Sequence, residues 1–141
     1  MTAAVASGRF TVRMQPLDPA GPAAGDAVGT RADTTLGRLA LDKRYDGDLA
    51  ATGQGTMLTA MSSTPGSAAY VAIERVTGSL HGREGSFVLQ HAGTMDRGAP
   101  TLAVSVVPDS GSGELAGLGG RLAITVSDGV HHYRLDYSLP G

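Results

Sequence analysis

Glu74 and His91 are the two side chains whose type and setting point to chemistry. Both lie in one stretch, Ala69 to Thr94, reading AYVAIERVTGSLHGREGSFVLQHAGT. Glu74 sits among Val71, Ala72, Ile73 and Val76, where an unpaired carboxylate is costly to bury. Desolvation in a barrel lumen would raise its pKa, towards the range of a general acid or base. His91 alternates in phase with Phe87 and Leu89 and so shares their face. An imidazole there can take or give a proton near neutral pH. The plainer readings are an ion pair of Glu74 with a cross-strand cation or with Arg83, and a His91 satisfied by a backbone carbonyl. Tyr70 shares the face of Glu74, and Tyr133 and Tyr137 share a face of the last strand. Their phenols can hydrogen-bond a ligand or simply pack. Gln54 and Met57 complete the expected ligand lining, Met being a pliable filler of apolar pockets and of ordinary cores alike.

Several other chemistries are excluded. The chain has no cysteine, so thiol catalysis, disulfides and sulfur-ligated zinc are out. The four histidines, His81, His91, His131 and His132, show no i, i+4 pair, and adjacent strand residues point to opposite faces, so no metal is expected. GSGELAGLGG is not set between a strand and a helix, so it is no dinucleotide fingerprint, and neither a P-loop nor a G-x-S-x-G elbow occurs. No cofactor is implied. A net charge of -2 with scattered arginines gives no reason to expect nucleic acid, and no apolar run is long enough to span a membrane. The missing cysteines and the lack of a signal-peptide pattern in MTAAVASGRF fit a cytoplasmic protein.

The elements that must position Glu74 and His91 are strands. With 141 residues, 41% hydrophobic and 17% charged, the chain suits one folded domain over 1–141. GRFTVRM, at 8–14, alternates with Phe10, Val12 and Met14 on one face. QPLDPAGPAAGDAVGT, at 15–30, is too rich in Pro and Gly for a helix or central strand and is read as a flexible loop. A strand over 34–45 and a second running on towards Ser62 flank Asp46-Gly47, a hairpin signal. Gly53 and Gly55 suggest a bulge or a close backbone approach. SSTPGS, at 62–67, is a turn. Strands over 69–80 and 86–95 flank the HGREG turn, and a turn at 96–100 leads to a strand at 101–107. Residues 108–120 form a loop with at most one helical turn at 113–118. Strands at 121–127 and 130–139 flank Asp128-Gly129. Arg75 must face away from Glu74, and Val88, Ala103 and Val107 would form an apolar outer surface, either covered by the long loops or buried in a homo-oligomer, most simply a dimer, which is the favoured reading.

About eight strands, little helix and sequential hairpins predict an all-β, closed or nearly closed antiparallel barrel in up-and-down order. Such a barrel holds side chains or one small ligand. The runs AIERVTGSLHGREGSFVLQHAGT, VPDSGSGELAGLGG and YRLDYSL, with RYDGDLAATGQGTML before them, resemble the bacterial domain of unknown function 3224 across most of 8–139. The resemblance implies a barrel similar to that of allene oxide cyclase, close to the calycin shape. The family has no general activity. Related barrels bind small apolar molecules and catalyse cofactor-free isomerisation or cyclisation, and that step to function is analogy of fold alone. The function expected is therefore a small-molecule-binding barrel. It is either a cofactor-independent isomerase, cyclase or lyase working through Glu74 and His91, or a non-catalytic carrier of a small apolar ligand in its lumen. If Glu74 only moves protons, Glu74→Gln should abolish turnover and leave folding nearly intact. If Gly82 uses φ > 0, Gly82→Val should destabilise the HGREG turn.

Overall fold

The computed structural model describes residues 2–17 and 34–140. Eight long strands make one antiparallel sheet: β1 (Thr2–Pro16), β2 (Thr35–Gly47), β3 (Leu49–Met61), β4 (Ala68–Leu80), β5 (Arg83–Asp96), β6 (Ala99–Val106), β8 (Gly119–Ser127) and β9 (Val130–Leu139), with β7 (Ser112–Gly113) as a two-residue addition. Each strand pairs with its neighbours in sequence, and β1 pairs with β9, so the sheet closes on itself in up-and-down order. β7 lies against the start of β5 rather than in the ring. Among the described residues there is no helix. The expected loop over 15–30 lies outside the described residues from position 18 onward, while Gln15 and Pro16 end β1.

Alternation sets the faces. On β4, Ala72, Glu74, Val76 and Leu80 are buried while Val71, Ile73 and Arg75 are exposed. On β9, Tyr133, Leu135, Tyr137 and Leu139 point inward and Arg134 and Asp136 outward. Outside, Ala103 is exposed, but Val88 and Val107 are half-buried. The core is the lumen itself, and it is densest at one end. There Leu49, Leu80, Phe87 and Leu135 meet Leu115 and Leu118 from the 107–118 connection. That connection forms successive tight turns (Leu115 N–H to Ser112 O, Ala116 N–H to Gly113 O, Leu118 N–H to Leu115 O) and closes the barrel end with its two leucines. At the other end the inward-facing Met14, Met61, Leu102 and Val126 are between 44% and 62% exposed, so the lumen opens there.

Two-residue turns with positive φ at both positions join the later hairpins. They are His81-Gly82 (φ 49 and 82), Arg97-Gly98 (48 and 91) and Asp128-Gly129 (52 and 78), the conformation whose twist matches paired strands. The HGREG turn is therefore only His81-Gly82, and Arg83 already belongs to β5. The first DG signal is displaced by one residue. β2 runs through Gly47 and the chain bends at Asp48, because β1 pairs as far as Gly47 and Asp48 locks onto it. The Asp48 N–H donates to Ser7 O and its carboxylate accepts the Ser7 N–H at 3.0 Å.

Candidate functional site

β2, β4 and β5 each send polar side chains into the lumen at one level. Glu74 is fully buried on β4, His91 comes from β5, and Lys43 and Tyr45 come from β2. Glu74 Oε1 accepts from Lys43 Nζ at 3.0 Å and lies 2.8 Å from His91 Nε2, and Oε2 accepts the Tyr45 hydroxyl at 2.6 Å. Lys43 Nζ also lies over the Phe10 ring, 4.9 Å from its centroid.

β3, standing between β2 and β4, makes this reach possible. Lys43 is opposite Gly53, and Glu74 is opposite Gly55. A Cβ on Gly53 would come within 2.0 Å of Glu74 Oε2. The missing side chain lets the carboxylate lean across β3 to partners two strands away. β3 pairs without a break with β2 from Ala51 to Met61 and with β4 from Leu49 to Met61, so the glycines mark a close approach and not a bulge.

Electrostatics settle the state of Glu74. Burial alone would raise its pKa. The His91 hydrogen bond, the Lys43 charge and the Tyr45 and Lys43 hydrogen bonds together outweigh burial and hold it below the usual carboxylate value. The expectation of a raised pKa is thus corrected: the lumen supplies counter-charge and donors as well as a low dielectric. Glu74 is ionised at neutral pH, and a carboxylate only accepts, so His91 Nε2 carries the proton. Tyr45 is held neutral, by burial first and then by the negative charge of Glu74. The cation beside Glu74 is Lys43, not Arg83, and the partner of His91 is Glu74, not a backbone carbonyl.

This cluster faces a cavity of about 240 Å³ in the open end of the lumen, bounded by Lys43, His91, Tyr70, Met57, Phe10 and His131 with aliphatic neighbours. A second cavity of about 330 Å³ at the mouth shares Met57, Tyr70 and Leu102 with it. Burial raises the pKa of the Tyr70 phenol, so Tyr70 faces the cavity as a neutral group. Its ring covers Gly93 across the strand pair, where a Cβ would lie 2.5 Å from the ring.

The remaining expected lining residues stand elsewhere. Gln54 is exposed on the outer face, paired with Asp42 and Arg75, because it alternates out of phase with Gly53 and Gly55. Tyr133 points inward, but its hydroxyl donates to Asp46 O at 2.9 Å and accepts the Leu49 N–H at 2.9 Å, pinning the β2–β3 turn. Tyr137 lies six positions beyond His131 on β9, roughly 20 Å along the strand, at the closed end. Its hydroxyl is 2.5 Å from His81 Nδ1, and His81 Nε2 is 3.6 Å from Asp48 Oδ2. His81 and Asp48 are well exposed, so the trio ties two turns and a strand together in solvent. A shallow outer depression of about 500 Å³ between β1, β8 and β9 touches none of the Glu74 cluster. Among the described residues no three His, Cys, Asp or Glu gather as a metal site, and no helix is long and apolar enough to cross a membrane.

Lys43, Tyr45, Phe10 and His131 went unselected in the sequence. The signal was parity: Leu39, Leu41, Lys43 and Tyr45 all share one face of β2. A lysine in phase with leucines is the mark of a buried cation.

The family described as "Protein of unknown function (DUF3224)" matches the chain over residues 6–137. Among solved structures, the chain is similar to a protein of unknown function from the DUF3224 family of Shewanella oneidensis MR-1. The two are 44% identical, with a TM-score of 0.88 over 99% of each chain. No curated protein matches the chain.

Proposed function

The chain belongs to the DUF3224 family, and from that premise we propose that its barrel binds one small, mainly apolar molecule in the open end of the lumen, with the ligand's polar end at Lys43 and His91. The observation that carries this reading is a cavity whose walls are apolar and whose polar groups are few and convergent, the usual make-up of a ligand site. Lys43 has donor capacity to spare. Among the described residues, Lys43 Nζ makes one hydrogen bond, to Glu74, and His91 hydrogen-bonds through Nε2 alone. An ammonium has three N–H groups, so two remain for a ligand acceptor, whereas the second nitrogen of a neutral imidazole protonated at Nε2 accepts. The Lys43–Glu74 pair is already neutral, so an uncharged acceptor such as a carbonyl oxygen suits the site better than a carboxylate, which would add unbalanced buried charge.

Binding is favoured over acid–base turnover on Glu74. A general base works best with a pKa near the operating pH, whereas Glu74 lies below the ordinary carboxylate range and spends both oxygens on Lys43, His91 and Tyr45. Its role here is that of a counter-ion fixing three other groups.

The test uses 2-acetylnaphthalene, an apolar ketone whose emission depends on its surroundings. Titrated into the protein, it should give a saturable change with one site per chain. Met57→Trp, which fills the junction of the two cavities, should remove that change and leave the unfolding transition in place. No saturable change with the wild-type protein would dismiss the reading.

A further inference from the structure

Lys43 is the single lysine of the chain; the other ten strong cations are all arginines. Among the described residues every arginine is exposed, whereas the one primary side-chain amine stands 7% exposed in the lumen, at the cavity wall. The two residues are not interchangeable. Guanidinium is always charged and a poor nucleophile, whereas a lysine amine can lose its proton and attack a carbonyl carbon. The surroundings of Nζ match those of a carbon–nitrogen cation. Glu74 Oε1 is 3.0 Å away, and the Phe10 and Tyr45 rings stand 4.9 and 5.9 Å from it. An iminium at this position keeps the positive charge on nitrogen, so the Glu74 pair and the cation–π contact are retained.

We infer that the lumen captures small apolar aldehydes covalently, as an iminium on Lys43. This deepens the binding function proposed above and rests on it. The Lys43 ammonium gives up a proton to water at the open end of the lumen, Glu74 staying ionised as its counter-ion, and the free amine adds to the aldehyde carbon. The proton returns to the resulting carbinolamine, whose oxygen leaves as water with a second proton from nitrogen, and the C=N bond forms. In sum, ammonium plus aldehyde gives iminium plus water, with no oxidant or reductant. His91, on the same Glu74 oxygen, holds that carboxylate in place as counter-ion to the ammonium and then to the iminium.

The experiment uses the full chain with 2-naphthaldehyde, then sodium borohydride to fix any imine, and reads intact mass and the modified peptide. The α-amino group is the only other primary amine, so the assignment is unambiguous. The expected result is one adduct per chain on the peptide holding Lys43, competed away by excess 2-acetylnaphthalene. Lys43→Arg keeps the charge without the amine and should lose that adduct. Met57→Trp keeps the amine, fills the cavity and should lose it too. Saturable binding of the aldehyde with no adduct after reduction would overturn the covalent inference and leave the binding barrel standing. Label confined to the α-amino group, or equal label in Met57→Trp, would overturn it as well. Absence of both binding and adduct would remove the two readings together.

Discussion

Four side chains, Glu74, Lys43, Tyr45 and His91, form a charged unit in a place where charge is expensive. Burying an ion pair is close to neutral in stability, but removing one member leaves the other uncompensated. Glu74→Gln still offers an acceptor to Tyr45 or His91, but it strands the Lys43 cation in the lumen. We therefore expect that variant to lose about 3–5 kcal/mol in urea unfolding, in place of the nearly intact folding anticipated when Glu74 was read as a proton carrier. Adding Lys43→Met to Glu74→Gln should recover most of the loss, since neither charge then remains. Acid tests the same unit. Glu74 has a lower pKa folded than unfolded, so the unfolded chain takes up the proton first as pH falls. The stability it contributes is full above about pH 4.5 and drains away as pH drops through the folded value. The unfolding free energy of the wild type should fall more steeply below pH 4.5 than that of the Lys43→Met, Glu74→Gln pair. Parallel acid limbs would contradict the assignment. Glu74 and His91 could be picked out from the sequence because each is polar in an apolar, alternating run. Their partner could not be paired with them: Lys43 is 31 residues from Glu74, and which strand lies beside which is a property of register.

β3 and the turns decide whether that unit can assemble. Gly53 leaves room for a carboxylate to cross a strand, and Gly53→Ala would put a methyl group 2.0 Å from Glu74 Oε2. The carboxylate must then leave Tyr45, at a cost of about 1–3 kcal/mol by the usual penalty for overpacking. Gly119→Ala is the control, with its nearest neighbour at 3.8 Å and no positive φ, and should be near neutral in the same denaturation assay. Gly82 has open space around it but φ +82, so Gly82→Val should cost about 1–3 kcal/mol through backbone strain alone. An unchanged thermal midpoint would show that the turn relaxes. Strand existence and the grouping of residues by face were legible from alternation, to the point that β9 has the expected bounds of 130–139, but which face turns inward was not, as the outward Gln54 shows. Turn position was less so. Asp46-Gly47 carried the right residues, yet pairing with β1 moved the bend to Asp48, a tertiary effect that a local turn signal does not contain.

At the scale of the whole molecule, closure of the sheet gives the barrel two unlike ends. One is filled by Leu115 and Leu118 with the surrounding leucines, and the other leaves inward-facing methionines and leucines in contact with solvent. Eight strands in up-and-down order could be counted in the sequence, because each hairpin announces itself with a turn and an alternating pair. The inequality of the ends could not, since it depends on the 107–118 connection folding back into the lumen instead of over the outer wall. The cavity, the cluster and the only lysine meet at the open side of that filled core. The most direct measurement follows from this placement. Protein labelled with ¹³C at lysine Cε shows one side-chain signal, and 2-acetylnaphthalene is titrated into it. The account predicts that the signal moves with the ketone, saturates at one equivalent per chain and stays fixed in Met57→Trp. A lysine signal unmoved in the wild type up to the solubility limit of the ketone would contradict the claim that the lumen binds its ligand at Lys43.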